Sequence, residues 1–228
     1  MNSHQLINQT SKKTEWYTDP AILAAARQLM GGIDLDPASS AAANKHVQAN
    51  VYYTEPSYIL YDELIGGLPV RIYKDFGGLH HLREWTGRVW LNHPFGQPEM
   101  PCQSGCTKKG CIERGWHTIG ALPGSKDWIV RLVSEYVMGH TTEAVCLTFS
   151  ATSESWFQPL KWFPQIHISP RLNYFDEEGN KVKGVTKGSC LTYLGDNVKG
   201  FAECFRKWGM VQVSYDFQFS DIKFHIKS

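Results

Sequence analysis

Apolar and polar positions divide the chain into alternating helix-length and strand-length segments. Residues 1–14 are polar and predict a frayed start. From Pro20 to Met30 an Ala- and Leu-rich stretch reads as a helix, with Thr18 or Asp19 as cap, Pro20 at its first position and Gly31-Gly32 as its stop. Ile33–Asp36 predicts a first parallel strand, and Ala41–Ala49 a second helix after a turn of small residues. Val51–Thr54 reads as a short strand. Tyr58–Ile65 is amphipathic, Gly66-Gly67 breaks it, Leu68–Tyr73 suits a strand and Lys74–Leu79 a loop. Val89-Trp90-Leu91 predicts a buried strand that stops at Pro94.

Residues 97–124 have no periodicity. Beyond them, apolar residues at 129, 132, 133, 136 and 137 predict a packed helix over Asp127–Met138. Strands over Ala144–Phe149, Gln165–Ile168, Cys190–Leu194 and Met210–Phe217, and a helix over Val198–Trp208, complete the pattern; Asp176–Asn180 reads as a turn. Alternation of this kind predicts one α/β domain over 15–228, Rossmann-like, with a mostly parallel sheet flanked by helices and a Cys-rich insert at 97–124.

Composition narrows the picture. Hydrophobic content of 42% and charged content of 20% suit a globular chain with an adequate core. A net charge of +1 argues against gripping nucleic acid by bulk charge alone and leaves room for a local basic face. No apolar run reaches membrane-spanning length and the first residues lack a signal-peptide core, so a cytoplasmic protein is expected.

The most informative stretch is Arg88–Phe95. A polar Asn, a proline turn and an aromatic ring follow a buried strand, and the C-terminal edge of an open α/β sheet is where ligands bind. The Asn92 side-chain oxygen can accept one N–H of an exocyclic amine and the His93 carbonyl the other, while Phe95 offers a face to a flat base. Two such acceptors steer the nitrogen toward sp3 character and free its lone pair for an electrophilic methyl. Asn92-His93-Pro94-Phe95 resembles the Asn-Pro-Pro-Tyr or Asp-Pro-Pro-Tyr motif of DNA amino-methyltransferases, with His93 for the first proline and Phe95 for tyrosine. The carbonyl at 93 survives any side chain and Phe stacks as Tyr does; the lost proline puts the stiffness of the loop in question.

Together with Glu15–Asn50, which holds Leu35-Asp36-Pro37-Ala38-Ser39, and with the Ser/Thr-rich turn before Trp156-Phe157, this stretch resembles the phage-type DNA N6-adenine methyltransferases. The resemblance covers 15–50 and 85–96, and more thinly 128–195. It implies transfer of a methyl group from S-adenosylmethionine to adenine N6 in DNA, with a flipped-out base. It further implies Trp16, Tyr17 and Thr18 over the methionine end of the cofactor, Asp34, Asp36, Pro37 and Ser39 as a cofactor turn, and Asp75 near its adenine. The family's Thr-Pro entry is interrupted here by Asp19. Asn44 is a further family position, equally readable as a helix packing contact, and Arg171 parallels a family arginine that would touch DNA. Two rivals stand beside this expectation: an enzyme with a changed acceptor or transferred group, and a degenerate relative that only binds nucleic acid or a host protein.

The insert carries Cys102-x3-Cys106-x4-Cys111-x5-His117. It cannot build its own core, and three thiolates plus an imidazole suit a closed structural Zn2+ site. A flexible loop with incidental cysteines, and three ligands completed by a residue from elsewhere, are the alternatives. Lys108, Lys109 and Arg114 beside it are candidates for contacts with the DNA backbone.

Overall fold

Asp19 caps the first helix: its carboxylate accepts from the Ala21 amide, Pro20 occupies the first turn, and Gly31 ends the helix in the left-handed region. The computed structural model describes residues 17–54, 58–74, 76–176, 179–182 and 187–214. In chain order the elements are β1 (Tyr17–Thr18), α1 (Pro20–Met30), β2 (Ile33–Asp36), α2 (Ala41–Val47), β3 (Ala49–Tyr52), β4 (Tyr58–Ile65) and β5 (Leu68–Tyr73). They continue with β6 (Gly87–Leu91), α3 (Lys109–Arg114), β7 (His117–Thr118), α4 (Ser125–Val137), β8 (Thr141–Phe149), β9 (Gln165–His167), β10 (Tyr174–Phe175), β11 (Ser189–Leu194), α5 (Val198–Phe205) and β12 (Val211–Gln212).

α1, β2 and β5 have the boundaries their patterns predict. α2 stops two residues short because Gln48 turns left-handed and Asn44 reaches past it. The Asn44 amide brackets Ala49, donating to its carbonyl at 3.1 Å and accepting its N–H at 2.8 Å, which starts β3 earlier than expected. Of the expected final strand, Met210–Phe217, only Val211–Gln212 pairs in the sheet, and 215–217 lie outside the described residues.

The main sheet has seven strands in the order β12-β9-β11-β8-β6-β2-β3. It is mixed, not mostly parallel. β3, β2, β6 and β8 run parallel, and β8-β11, β11-β9 and β9-β12 are antiparallel. Among the described residues no helix connects β9 to β11, and without a crossover the chain reverses between neighbours.

Side-chain alternation along the central strands divides the core in two. Trp90, Val145, Leu147, Leu191 and Tyr193 face α1 and α5; Val89, Leu91, Ala144, Cys146 and Cys190 face α4 and the turn at Gln158–Trp162. Helices therefore cover both faces, as strands buried on both sides require. No helix among the described residues is long and apolar enough to cross a membrane.

One topological feature places the site. From β2 the chain crosses through α2 to β3 on one side, whereas β6 adds on the other side of β2. The C-terminal ends of β2 and β6 thus flank a switch in strand order, where open α/β sheets leave a crevice for ligands.

Candidate functional site at the strand switch and a Cys3His cluster

The segments that leave β2 and β6 at this switch are the turn 36–40 and the run 92–95. The turn is tied down on several sides. Tyr53 donates its amide to the Asp36 carbonyl, Ser39 donates its amide to the Tyr53 carbonyl, and the Asp36 carboxylate accepts from the Ala38 amide and bonds the Ser39 side chain. Asp36 is buried, and that burial pushes its carboxyl up to about 7 against the two hydrogen bonds that favour the charge. Pro37 is pressed from above by the turn at Gly77–Leu79: a Cβ on Gly78 would sit 2.0 Å from the Pro37 carbonyl oxygen, so only glycine fits. The Trp85 indole fixes this turn by donating to the Gly78 carbonyl at 2.7 Å.

Beyond β6, the Asn92 side-chain nitrogen donates to the Thr18 hydroxyl at 3.1 Å. Its side-chain oxygen is buried and has no partner among the described residues. Two stretches singled out from the sequence are thereby in direct contact, and an acceptor is left to spare. Thr18 is held in turn by β1, which pairs antiparallel with β10.

His93 is almost fully buried (2% exposed). Its Nδ1 lies 2.9 Å from the Pro94 carbonyl, which makes Nδ1 the protonated nitrogen and leaves Nε2 a buried acceptor without a partner. Burial holds the imidazole down to about 4, against a smaller upward pull from the Pro94 carbonyl, so the ring is neutral at physiological pH. The ring lies parallel to Trp128 (6.4 Å, 9°) and edge-on to Phe95 (5.0 Å, 74°). Phe95 packs 4.2 Å from Phe149 at the end of β8. Where the amino-methyltransferase motif has its first proline, the ring thus contacts Trp128 and Phe95 and the backbone at Pro94.

Asp34 is drawn into another task. Arg88 grips it through two guanidinium contacts, of 2.8 and 2.7 Å, and through its own amide; Asn50 adds a third side-chain donor. The Arg88 hydrogen bond, ahead of all else, holds the Asp34 carboxyl down to about 2. This pair clamps β2 to β6 at the sheet and stands apart from the turn. Trp16 and Asp75 lie outside the described residues. Arg171 is exposed in the loop between β9 and β10. An open groove along α4, lined by Phe76, Leu79, Lys126, Arg131 and Glu135 among others, touches neither 36–40 nor 92–95.

The insert folds against the β4–β5 hairpin. β7 pairs parallel with β5, aligning His117 with Val70, and Cys102 donates its amide to the Thr118 carbonyl at 2.7 Å. This gathers Cys102, Cys106, Cys111 and His117, whose ligand atoms all lie within 4.8 Å of one another. The Cys102 and Cys111 sulfurs are 3.6 Å apart, too far for a disulfide and close to the edge of about 3.8 Å that a tetrahedron with 2.3 Å zinc–sulfur bonds would have. Both ring nitrogens of His117 are buried without a partner among the described residues. Four ligands in this arrangement could hold a metal ion, and the spacing is consistent with zinc.

Arg114 supports the cluster. It forms a two-contact pair with Glu99 (2.5 and 2.7 Å), points a third N–H at the Cys111 sulfur (3.4 Å), and stacks on Trp116 at 3.8 Å. Gly66, at the β4–β5 turn, has φ +57°, and a Cβ there would come within 3.0 Å of the Cys106 carbonyl. Sequence reasoning missed that the hairpin is the other half of this module; the Gly66-Gly67 pair was the available signal. Of the three insert cations proposed for DNA, Arg114 is spent on Glu99, Lys109 pairs with Glu113 at 3.6 Å, and Lys108 is exposed. The chain matches no protein-family model, no curated protein and no solved structure.

Proposed function

We propose that this chain transfers a methyl group from S-adenosylmethionine to the N6 amine of adenine in DNA, on a Rossmann-like methyltransferase scaffold. The observation that carries the reading is the state of Asn92. Its nitrogen is given to Thr18, and its buried oxygen finds no donor among the described residues. Such a group at the strand switch, beside a turn already fitted with a buried carboxyl, is what recognition of an amine next to a cofactor requires.

The residues then divide the work. Thr18 fixes the rotation of the Asn92 amide. The Asn92 oxygen and the His93 carbonyl accept the two amine hydrogens and hold the nitrogen lone pair toward the donor. His93 and Phe149 set the position of Phe95, on which the base lies. S-adenosylmethionine supplies an electrophilic methyl on a sulfonium. The Asp36 turn, with Pro37 and Ser39, is the segment of this chain that would hold it, and the small residues there let backbone approach a ligand. The amine proton is lost after attack, so no strong base is needed; placement of two bound reactants accounts for most of the rate. The Cys3His cluster would hold a zinc ion as a structural tie, since four protein ligands leave no open position for activated water.

The test is mass spectrometry of nucleosides from DNA incubated with the protein and S-adenosylmethionine. N6-methyladenine formed by the wild-type chain and lost in Asn92→Ala supports the reading. A different adduct redirects it to another acceptor or group, and no product together with no heat on titrating S-adenosylmethionine rejects it.

A further inference from the structure

The metal-cluster module carries a cation that no described residue neutralises. Arg71, on β5, lies with its guanidinium carbon 4.1 Å from the centre of the Tyr58 ring and 4.2 Å from that of Trp116. It makes no hydrogen bond and no ion pair with any described residue, and its Nε is buried without an acceptor. Arg114 is the contrast: it stacks on the same Trp116, yet its charge is answered by Glu99. Two aromatic rings thus flank the Arg71 guanidinium, and no described residue takes its donors.

A stacked guanidinium is pre-organised for a bidentate oxyanion, and phosphate fits that fork. The surroundings select the kind of phosphate. Tyr58 is 43% exposed, and Leu60, which faces Arg71 in the hairpin register, is 53% exposed, giving apolar surface on the same face as the cation. Stacking surface next to a phosphate contact is how proteins take hold of nucleic-acid strands. Position agrees: Tyr73, on the same strand as Arg71, stacks on Phe76 (5.9 Å, 21°), and the turn that follows Phe76 presses on Pro37 at the strand switch.

We infer that Arg71, held between Tyr58 and Trp116, binds a backbone phosphate of the nucleic acid, and that this hairpin, rather than the insert lysines, is the module's nucleic-acid contact. The inference takes its ligand from the DNA reading above but is independent of methyl transfer. With a net charge of only +1, bulk attraction is weak, and one phosphate contact is a measurable share of the total.

The experiment is fluorescence anisotropy of a labelled oligodeoxynucleotide, single- or double-stranded, titrated with the zinc-loaded full chain over a range of salt concentrations. Arg71→Gln should weaken binding for every sequence alike and lower the slope of log affinity against log salt by about 0.7–0.9, the share of one phosphate. Arg71→Lys, which keeps the charge and loses the planar stack, should keep the slope and bind more weakly than wild type. Either variant counts as folded when its zinc content equals that of wild type. A wild-type affinity and slope in Arg71→Gln overturns the inference, as does a wild-type chain that binds neither strand at low salt; loss of zinc in Arg71→Gln passes the decision to Arg71→Lys, where wild-type affinity overturns it. Arg71-dependent binding without any heat from S-adenosylmethionine sinks methyl transfer and leaves Arg71 standing; methylated DNA with Arg71→Gln unaltered does the reverse.

Discussion

The side-chain amide of Asn92 donates to the hydroxyl of Thr18, joining positions 74 apart in sequence. Neither end is adjustable: Thr18 is buried in a strand pair with β10, and Asn92 follows a strand buried on both faces. The bond holds the amide against β1, with its nitrogen turned to Thr18 and its oxygen left over. Thr18→Val keeps the shape and removes the acceptor. Under the proposed function, the expected result is a fall in methylation rate of about 10- to 100-fold, as for a reacting group displaced by an ångström. It should come with a stability loss of about 1–3 kcal/mol from the orphaned donor. Nucleoside mass spectrometry gives the first and thermal unfolding the second. Unchanged turnover would show that the bond plays no part in orienting Asn92.

Asp36 should leave a mark on the pH dependence of stability. Its carboxyl is raised to about 7 in the folded chain, mainly by burial. A folded-state value above the unfolded one means that the folded form holds a proton the unfolded form has released. The contribution is full below the ordinary aspartate range and is lost as pH rises through about 7. Asp36→Asn, neutral at all pH, removes that loss. The variant should therefore melt higher than wild type at pH 8, by at least about 2–4 °C, the response to roughly 1 kcal/mol, and the advantage should vanish near pH 4. Under the proposed function it should also weaken S-adenosylmethionine binding, which calorimetry reads separately. Identical melting curves at both pH values would mean that the carboxyl is charged and satisfied.

The metal cluster predicts about one zinc per chain, bound through deprotonated thiols. Burial and the neighbouring Cys102 push the Cys111 thiol up, so a cation is what makes its thiolate favourable. Chelation should then unfold the module around β4, β5 and β7 while the seven-stranded sheet, with its own two-sided core, stays folded. Elemental analysis gives the stoichiometry, and hydrogen exchange before and after chelation locates the loss. Cys102→Ser or His117→Ala should reproduce the chelated state. A chain free of metal with undiminished protection at 68–73 and 117–118 would contradict it.

Much of this arrangement was legible in the sequence, and the limits have physical causes. Helix α1 and strand β2 were readable to the residue because cap, period and stop signal coincide within a few positions. The pair of segments at the strand switch was readable because proline and small residues punctuate strand ends. The Cys3His spacing was readable because ligands are few in kind. What escaped was whatever depends on distant partners. Asp34 looks like a cofactor carboxylate until Arg88, 54 residues away, is seen to take both of its oxygens. Arg114 looks like a DNA contact until Glu99 is seen to neutralise it, and Arg71, in an unremarkable strand, gains meaning only from the rings of Tyr58 and Trp116. The reversal of β11 was hidden as well, since pairing direction is set by connections and not by a strand's own pattern.

His93 offers the sharpest separation of rigidity from chemistry. The proposed clamp uses its backbone carbonyl, so the side chain matters only by holding that carbonyl in place. It does so in two ways: the ring stacks on Trp128, and Nδ1–H reaches the Pro94 carbonyl. His93→Phe keeps the first and loses the second; His93→Pro loses both and stiffens the turn through its own ring. If rigidity is what counts, His93→Pro should methylate faster than His93→Phe, and the difference should appear in kcat rather than KM. Protonation provides an independent check. Burial lowers the folded-state value to about 4, so the neutral ring's contribution to stability is fully present above about 6.5 and is lost as pH falls through 4. His93→Phe should remove that part of the acid sensitivity. Equal rates for both variants, with wild-type acid sensitivity in His93→Phe, would mean that the loop is set by other contacts and that the imidazole is only filling space.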